Sequence, residues 1–281
     1  MARLIAISQF ERNWNEMKKE IKKLLNGSLQ RKYYKVIKIL YLRIISIPFG
    51  YNLNKLACIY KSDKWGKHFY TKHYRTHFRK FKFKRIKLFE IGVGGYHYPY
   101  VGGNSLRMWK RYFPFAKIIS LDIYDKSFVK ERRIKLYQGS QVDEKVLNKI
   151  INDNGDPDII IDDGSHINEH VILTFKILFP KLKNGGIYVV EDTETSYWPD
   201  YGGDSENLSN PSTIMNFFKS LTDCLNHQEL VNDHTATYFD RNIYSIQFYH
   251  NLIFIFKGIN NESSNVDPND PNSILADKIY I

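Results

Sequence analysis

Two short stretches carry side chains able to do chemistry together: Asp162-Asp163-Gly164-Ser165-His166 and Glu191-Asp192. Each follows directly on an apolar run, Ile159-Ile160-Ile161 in the first case and Ile187-Tyr188-Val189-Val190 in the second. Runs of that kind form strands buried on both faces of a parallel sheet. In an open α/β sheet ligands bind beyond the carboxyl ends of the strands, so both acidic stretches are expected at one rim. Three carboxylates there lie within reach of a single ion, and oxygen-only ligation suits Mg²⁺, Mn²⁺ or Ca²⁺ better than zinc. His166 adds a side chain that, with an ordinary pKa of about 6.5, can accept a proton from a hydroxyl and release it to solvent.

The elements that must position these groups are legible on either side. Glu90-Ile91-Gly92-Val93-Gly94-Gly95 ends a strand in a glycine turn, where the backbone can bend sharply and approach a ligand, and the helix expected over 104–112 presents its amino end. Ile118-Ile119-Ser120-Leu121-Asp122 is a second strand, ending in an acid suited to ribose hydroxyls. A third strand over 134–137 leads into Gln138-Gly139-Ser140-Gln141, and helices are expected over 142–151 and 170–182. Strand and helix thus alternate five times, which predicts an α/β fold with a Rossmann-like, doubly wound, mostly parallel sheet. A further helix is expected over 211–225. Runs at 244–249 and 252–256 around His250-Asn251 predict a C-terminal antiparallel hairpin.

Charge divides the chain of 281 residues unevenly: residues 1–88 hold 23 Lys and Arg against 4 Asp and Glu, and the remainder holds 18 against 26. Helical spacing over 8–24 and 31–60, broken at Pro48-Phe49-Gly50, makes residues 1–60 a basic helical N-terminal extension. Residues 61–258 are then the catalytic domain and 259–281 an irregular tail. The arm suits an anionic membrane surface, a phosphorylated or nucleotide-linked substrate, or RNA, with a solvated basic face as the plain alternative. Cys58 and Cys224 form no CxxC pair, and the apolar runs are too short or too interrupted for a signal core or a membrane span. A cytoplasmic protein is expected, peripheral at the inner membrane face if the arm binds lipid. His68, His73 and His77 lie in an aromatic, basic stretch without nearby carboxylates or cysteines, and packing over the cofactor pocket is expected of it rather than a metal site.

Five α/β units followed by a hairpin resemble the class I S-adenosylmethionine-dependent methyltransferases. Several ordered blocks resemble one group among them, the metal-dependent sugar O-methyltransferases of the mycinamicin type, which act on macrolide deoxysugars, and those acting on rhamnosyl groups. These blocks are the glycine turn at 90–95, Ser105-Leu106-Arg107-Met108-Trp109-Lys110, Asp122-Ile123-Tyr124-Asp125, Gln138-Gly139-Ser140-Gln141, the two acidic stretches, and Ser196-Tyr197-Trp198-Pro199. They span about 56–204, roughly half the chain.

The resemblance implies methyl transfer from S-adenosylmethionine to a sugar hydroxyl of a glycan or glycosylated metabolite, with Mg²⁺ or Mn²⁺ held by Asp163, Glu191 and Asp192 and with His166 as general base. It implies that Glu90, Gly92, Gly94 and Asp122 bind the cofactor and that Ser140 and Gln141 lie beside its adenine. Asp162 is placed with this set, with a strand-end cap as the alternative. Tyr197 and Trp198 are expected to face the acceptor sugar, unless Trp198 packs the turn before Pro199. Some members carry a much larger N-terminal domain where the basic arm stands here, so a homo-oligomer is left open. Two other functions compete: an RNA methyltransferase using the basic arm, and a nicotinamide-dependent reductase on the same fold. Nucleic acid is disfavoured because no Asn/Asp-Pro-Pro-Tyr motif is present and bare acids repel phosphate. The reductase is disfavoured because the Tyr-x-x-x-Lys spacings, Tyr34 to Lys38 and Tyr60 to Lys64 among them, precede the glycine turn.

Overall fold

A computed structural model of the chain describes residues 27–98, 100–230 and 234–264, together with residues 12, 15, 16, 19 and 20. Most of the helix expected over 8–24 and the end of the tail fall outside the described residues. Two units divide the chain: one runs to Arg85 and takes in Val101–Ala116, and the other holds Ile86–Tyr100 and everything from Lys117 onward.

The second unit is built on a seven-stranded sheet of β1 (Lys87–Ile91), β2 (Lys117–Asp122), β3 (Ile134–Gln138), β4 (Ile159–Asp162), β5 (Ile187–Glu191), β6 (Ile243–Tyr249) and β7 (Leu252–Lys257). Their order is β3-β2-β1-β4-β5-β7-β6. The first five strands run parallel, and β7 joins β5 antiparallel and carries β6 with it, as the alternating pattern and the hairpin predict. Asn251, in the left-handed region at φ 57°, closes that hairpin. Strand order reverses between β1 and β4, the switch point at which such sheets take ligands. Register fixes what meets there: Ile91 pairs with Asp162 and Asp162 with Val190, so Gly92, Asp163 and Glu191 follow in the next row.

Helices end where local chemistry stops them. The helix Glu144–Asn154 begins two residues later than the periodicity suggests, because the Asp143 side chain accepts from the amides of Lys145 and Val146 and caps it. The helix Asn168–Leu178 stops short of 182, because Pro180 cannot supply the next amide and the chain tightens into a 3₁₀ turn over Phe179–Lys181. Over 211–225 the α-helix is confined to Ile214–Ser220, and a 3₁₀ stretch, Asp223–Glu229, follows. On one side of the sheet Phe175 is buried among the rings of Phe179, Tyr188, Phe218 and Phe239, with centroids 4.9–5.5 Å away. Aromatic packing of this density fixes the helix that follows His166 against the sheet.

The first unit is helical: α1 (Gly27–Ile45), a 3₁₀ turn at Ile47–Phe49, α2 (Leu53–Tyr60), α3 (Thr71–Phe78) and α4 (Asn104–Tyr112). The break expected at Pro48 is present. From the aromatic stretch 62–78, Tyr74 and Phe78 pack on Trp109 of α4 at 5.0 and 5.7 Å, forming this unit's own core. Lys82 is buried there, its ammonium 4.0 Å from the Tyr112 ring and donating to the carbonyls of Gly50 and Tyr112. Among the described residues no helix is long and apolar enough to cross a membrane.

Candidate active site

The ends of β1, β4 and β5 and the residues just beyond them are crowded with acids. Glu90, Asp163 and Glu191 each bring a carboxylate oxygen within 4.8 Å of the others, and Asp163, His166 and Asp192 form a second group at the same spacing. Asp163 belongs to both, beside Glu191 of β5 in one group and beside Asp192 in the other. His166 Nε2 stands 3.9 Å from Asp163 Oδ1 and 3.8 Å from Asp192 Oδ2, too long for hydrogen bonds. Glu90 and Glu191 are buried and the other three are partly exposed, so the cluster opens outward from a dry floor. Bare carboxylates this close repel one another, and a hard divalent cation is what such an oxygen set fits. Placement of Glu90 in this cluster is new: the sequence assigns it to the cofactor motif. An acid inside an otherwise apolar strand was the available signal.

Backbone strain helps to hold the arrangement. His166 (φ 57°) and Asp192 (φ 53°) both sit in the left-handed region, which non-glycine residues seldom adopt. Gly92, at φ +90°, is forced by close approach: a Cβ there would lie 2.0 Å from the carbonyl oxygen of Asp163. The loop before His166 is tied down by Ser165, whose amide donates to Gln141 Oε1 at 2.7 Å and whose hydroxyl lies 3.0 Å from His170 Nδ1.

Asp162 lies behind this row, 1% exposed. Burial pushes its carboxyl up to about 7, against the opposing pull of His166, the Gly164 amide and Gln141. Gln141 donates to both Asp162 and Thr174, at 3.2 and 3.1 Å, and Tyr188 Oη donates to Asp162 at 3.4 Å. The Gln141 side chain thus links three segments, and Thr174 and Tyr188 are partners that sequence reasoning missed. Ser140 Oγ accepts from the Val142 amide at 3.3 Å. On β2, the Asp122 carboxylate accepts from the amides of Val93 and Tyr124, both at 2.9 Å. It therefore fixes the glycine turn that holds Gly92 and Gly94, and each oxygen keeps a second acceptor site for a ligand.

Tyr197 and Trp198 end the 3₁₀ turn after β5, both exposed, with Trp198 tilted against Tyr201 at 5.9 Å. Their loop is pinned by buried Asn168, whose amide donates to the carbonyls of Thr195 and Tyr201, both at 2.9 Å, and whose oxygen accepts from the Ile214 amide.

No protein-family model matches the chain. Among proteins of known function it is similar to demethylmacrocin O-methyltransferase of Streptomyces fradiae, 47% identical over 214 residues, 75% of this chain and 54% of that protein. It is likewise similar to mycinamicin VI 2''-O-methyltransferase of Micromonospora griseorubida, 46% identical over 214 residues with the same shares covered. The chain thus spans about half the length of these relatives. Among solved structures it is similar to the MycE methyltransferase of the mycinamycin pathway in complex with Mg and SAH, with TM-score 0.76 and 43% identity over 82% of this chain and 59% of that one. Across these shared parts the chain has the class I methyltransferase fold, and the relatives it matches are O-methyltransferases.

Proposed function

We propose that this protein transfers a methyl group from S-adenosylmethionine to a sugar hydroxyl of a glycan or glycosylated metabolite, using a divalent cation, Mg²⁺ or Mn²⁺. One observation carries the reading: Asp163 belongs at once to the Glu90–Glu191 and the His166–Asp192 clusters, at the switch point of a methyltransferase sheet. In this reading Asp163, Glu191 and Asp192 hold the cation, with Glu90 beside them. A bound dication would orient the sugar oxygen and make its alkoxide more accessible.

The remaining work belongs to the chain's own residues. His166 accepts the hydroxyl proton at Nε2 and returns it to solvent across the open side of the cluster. Asp122 takes the ribose hydroxyls on its remaining acceptor sites, and Gly92 and Gly94 let the backbone come close to the sulfonium-bearing chain. Ser140 lines the adenine side, while the Gln141 amide and Asp162 support the base loop from below. Tyr197 and Trp198 offer exposed ring faces to the acceptor. Since methyl transfer from a sulfonium needs chiefly alignment of oxygen, carbon and sulfur, a fixed rim suits it.

Residues 61–258 carry this activity in our reading, 1–60 form a basic helical extension facing an anionic membrane or a second copy, and 259–281 are a tail. We take the cytoplasm as its compartment, because two widely separated cysteines without a CxxC pair suit a reducing environment.

The test is incubation with methyl-labelled S-adenosylmethionine, Mg²⁺ and extract of the source cells, with mass spectrometry of the product. A labelled sugar is expected, its formation stopped by EDTA. His166→Ala is expected to lower turnover by about 10²- to 10⁴-fold while cofactor binding persists. Unaltered turnover in EDTA would reject the metal, and label in RNA instead of a sugar would reject the acceptor.

A further inference from the structure

Residues 27–85 and 101–116 of the first unit contain 19 lysines and arginines and one acid, Asp63. Solubility alone needs no such excess, and it coincides with apolar side chains left in water. On α1, Val36, Leu40 and Ile44 recur four residues apart and are 50, 49 and 65% exposed, and Ile47 in the following turn is 63% exposed. Residues at that spacing share one face of a helix. Single exposed aliphatic residues are ordinary, but an unbroken stripe is not.

The stripe continues into aromatic residues. Tyr51, 70% exposed, lies just after the Ile47 turn, and its ring is 5.8 Å from that of Phe83, 57% exposed. Lys82 joins the two loops, with its ammonium 4.5 Å from the Tyr51 ring and 5.7 Å from the Phe83 ring. Exposed cations flank this edge: Arg43 on α1, and Lys80 and Lys84 on either side of Phe81. Burial, and after it the charge of Lys84, holds Lys80 below its ordinary pKa, so these cations crowd one another.

We propose that this face docks the protein on an anionic membrane surface, the Val36–Leu40–Ile44–Ile47 stripe entering the acyl boundary and Tyr51 and Phe83 resting at the headgroup level. It deepens the membrane part of the proposed function and rests on that part alone, since the methyl-transfer chemistry is independent of it. Aliphatic insertion beside headgroup-level aromatic rings and lysines is the pattern of interfacial helices. Charge selects the occupant. A second copy would bring an equally cationic face, and like charges oppose such an interface. Nucleic acid would satisfy the cations but has no use for an aliphatic stripe, because bases bind by stacking on rings. Anionic lipid satisfies both halves, at about 1 kcal/mol per lysine or arginine near the surface.

The experiment is flotation of the full chain with vesicles of phosphatidylcholine, with and without phosphatidylserine. Binding is expected to the anionic vesicles and to weaken as salt rises. Leu40→Ser with Ile44→Ser, and separately Lys80→Glu with Lys84→Glu, are each expected to reduce partitioning by about tenfold or more. Both double variants should keep the wild-type circular dichroism and S-adenosylmethionine binding. Absence of flotation at low salt overturns the proposal. So does full retention of binding by the serine variant, which would mean polycation adsorption only. Wild-type self-association that the serine substitutions abolish also overturns it, naming a second copy as the occupant, and RNA binding that these substitutions leave intact while RNA displaces the protein from vesicles does the same for nucleic acid. A protein that floats but transfers no methyl group would reject the enzymatic reading alone, and one that methylates but does not float would reject docking alone.

Discussion

Like charge is concentrated twice in this molecule, under opposite physical conditions. At the sheet rim, acids converge within 4.8 Å from strand ends whose positions are set by register. In residues 27–85 and 101–116 of the helical unit, 19 cations face one acid, many on exposed stems beside apolar side chains. A partly buried anionic cluster of fixed geometry calls for a small multivalent counterion, because only such an ion meets several oxygens at once. A diffuse exposed cationic face calls for an extended partner of opposite sign. The same excess of charge therefore implies two kinds of ligand, and the difference lies in burial and rigidity.

The sharpest way to break that contrast is Asp163→Asn, which removes a full charge from both rim clusters with little change in volume. Turnover is expected to fall by on the order of 10³-fold, and Mg²⁺ titration, followed calorimetrically, should lose most of its affinity. S-adenosylmethionine binding should change by no more than a few fold, since Asp122 and the glycine turn stay intact. Equal loss of cofactor and metal binding would mean that the rim is one cooperative structure, not a metal site beside a cofactor site.

Much of this rim was legible before any coordinates. Strands β4 and β5 announce themselves as apolar runs ending in acids, and Gly92 marks the turn because only glycine tolerates a carbonyl 2.0 Å from where Cβ would stand. Glu90 was harder to place. Both faces of β1 are covered, so alternation along the strand does not tell where its carboxylate leans. Gln141 could not be assigned to Asp162 and Thr174 from sequence, because that link depends on packing of the helix Asn168–Leu178 and reaches residues 21 and 33 positions away. Return of residues 101–116 to the earlier helices is likewise long-range, made by Trp109 among Tyr74 and Phe78, and no local pattern signals it. The cap at Asp143 was readable, and periodicity alone passed over it.

A smaller perturbation tests whether geometry, apart from charge, defines the rim. Gly92→Ala adds one methyl group where φ is +90° and the Asp163 carbonyl blocks it. Left-handed strain alone is worth about 1–3 kcal/mol, and the clash must further displace the loop that carries Asp163. A clear drop in the thermal midpoint is expected, together with weaker Mg²⁺ binding, although no ligand has been touched. A stability loss with unchanged metal affinity would show that the cluster tolerates movement of the β1 turn.

The smallest expected effect probes the other pole of the comparison, where a cation is buried among cations. Lys82 is held down to about 8 by burial first and by the Arg111 charge second, against about 10.4 for an unfolded lysine. Below pH 8 both states carry the proton, and the folded protein bears the whole penalty of enclosing it, offset by ring faces and two carbonyls. Between about 8 and 10.4 the unfolded chain binds more protons than the native one, so stability attributable to Lys82 rises with pH across that window. Lys82→Met keeps the stem against Tyr51 and Tyr112 and removes the titrating group. Urea midpoints measured from pH 7 to 10 should rise in the wild type relative to the variant, with the gap changing steadily above pH 8. Curves that stay parallel would mean that the aromatic rings and carbonyls stabilise the ammonium as well as water does, and that burial of this cation costs the unit nothing.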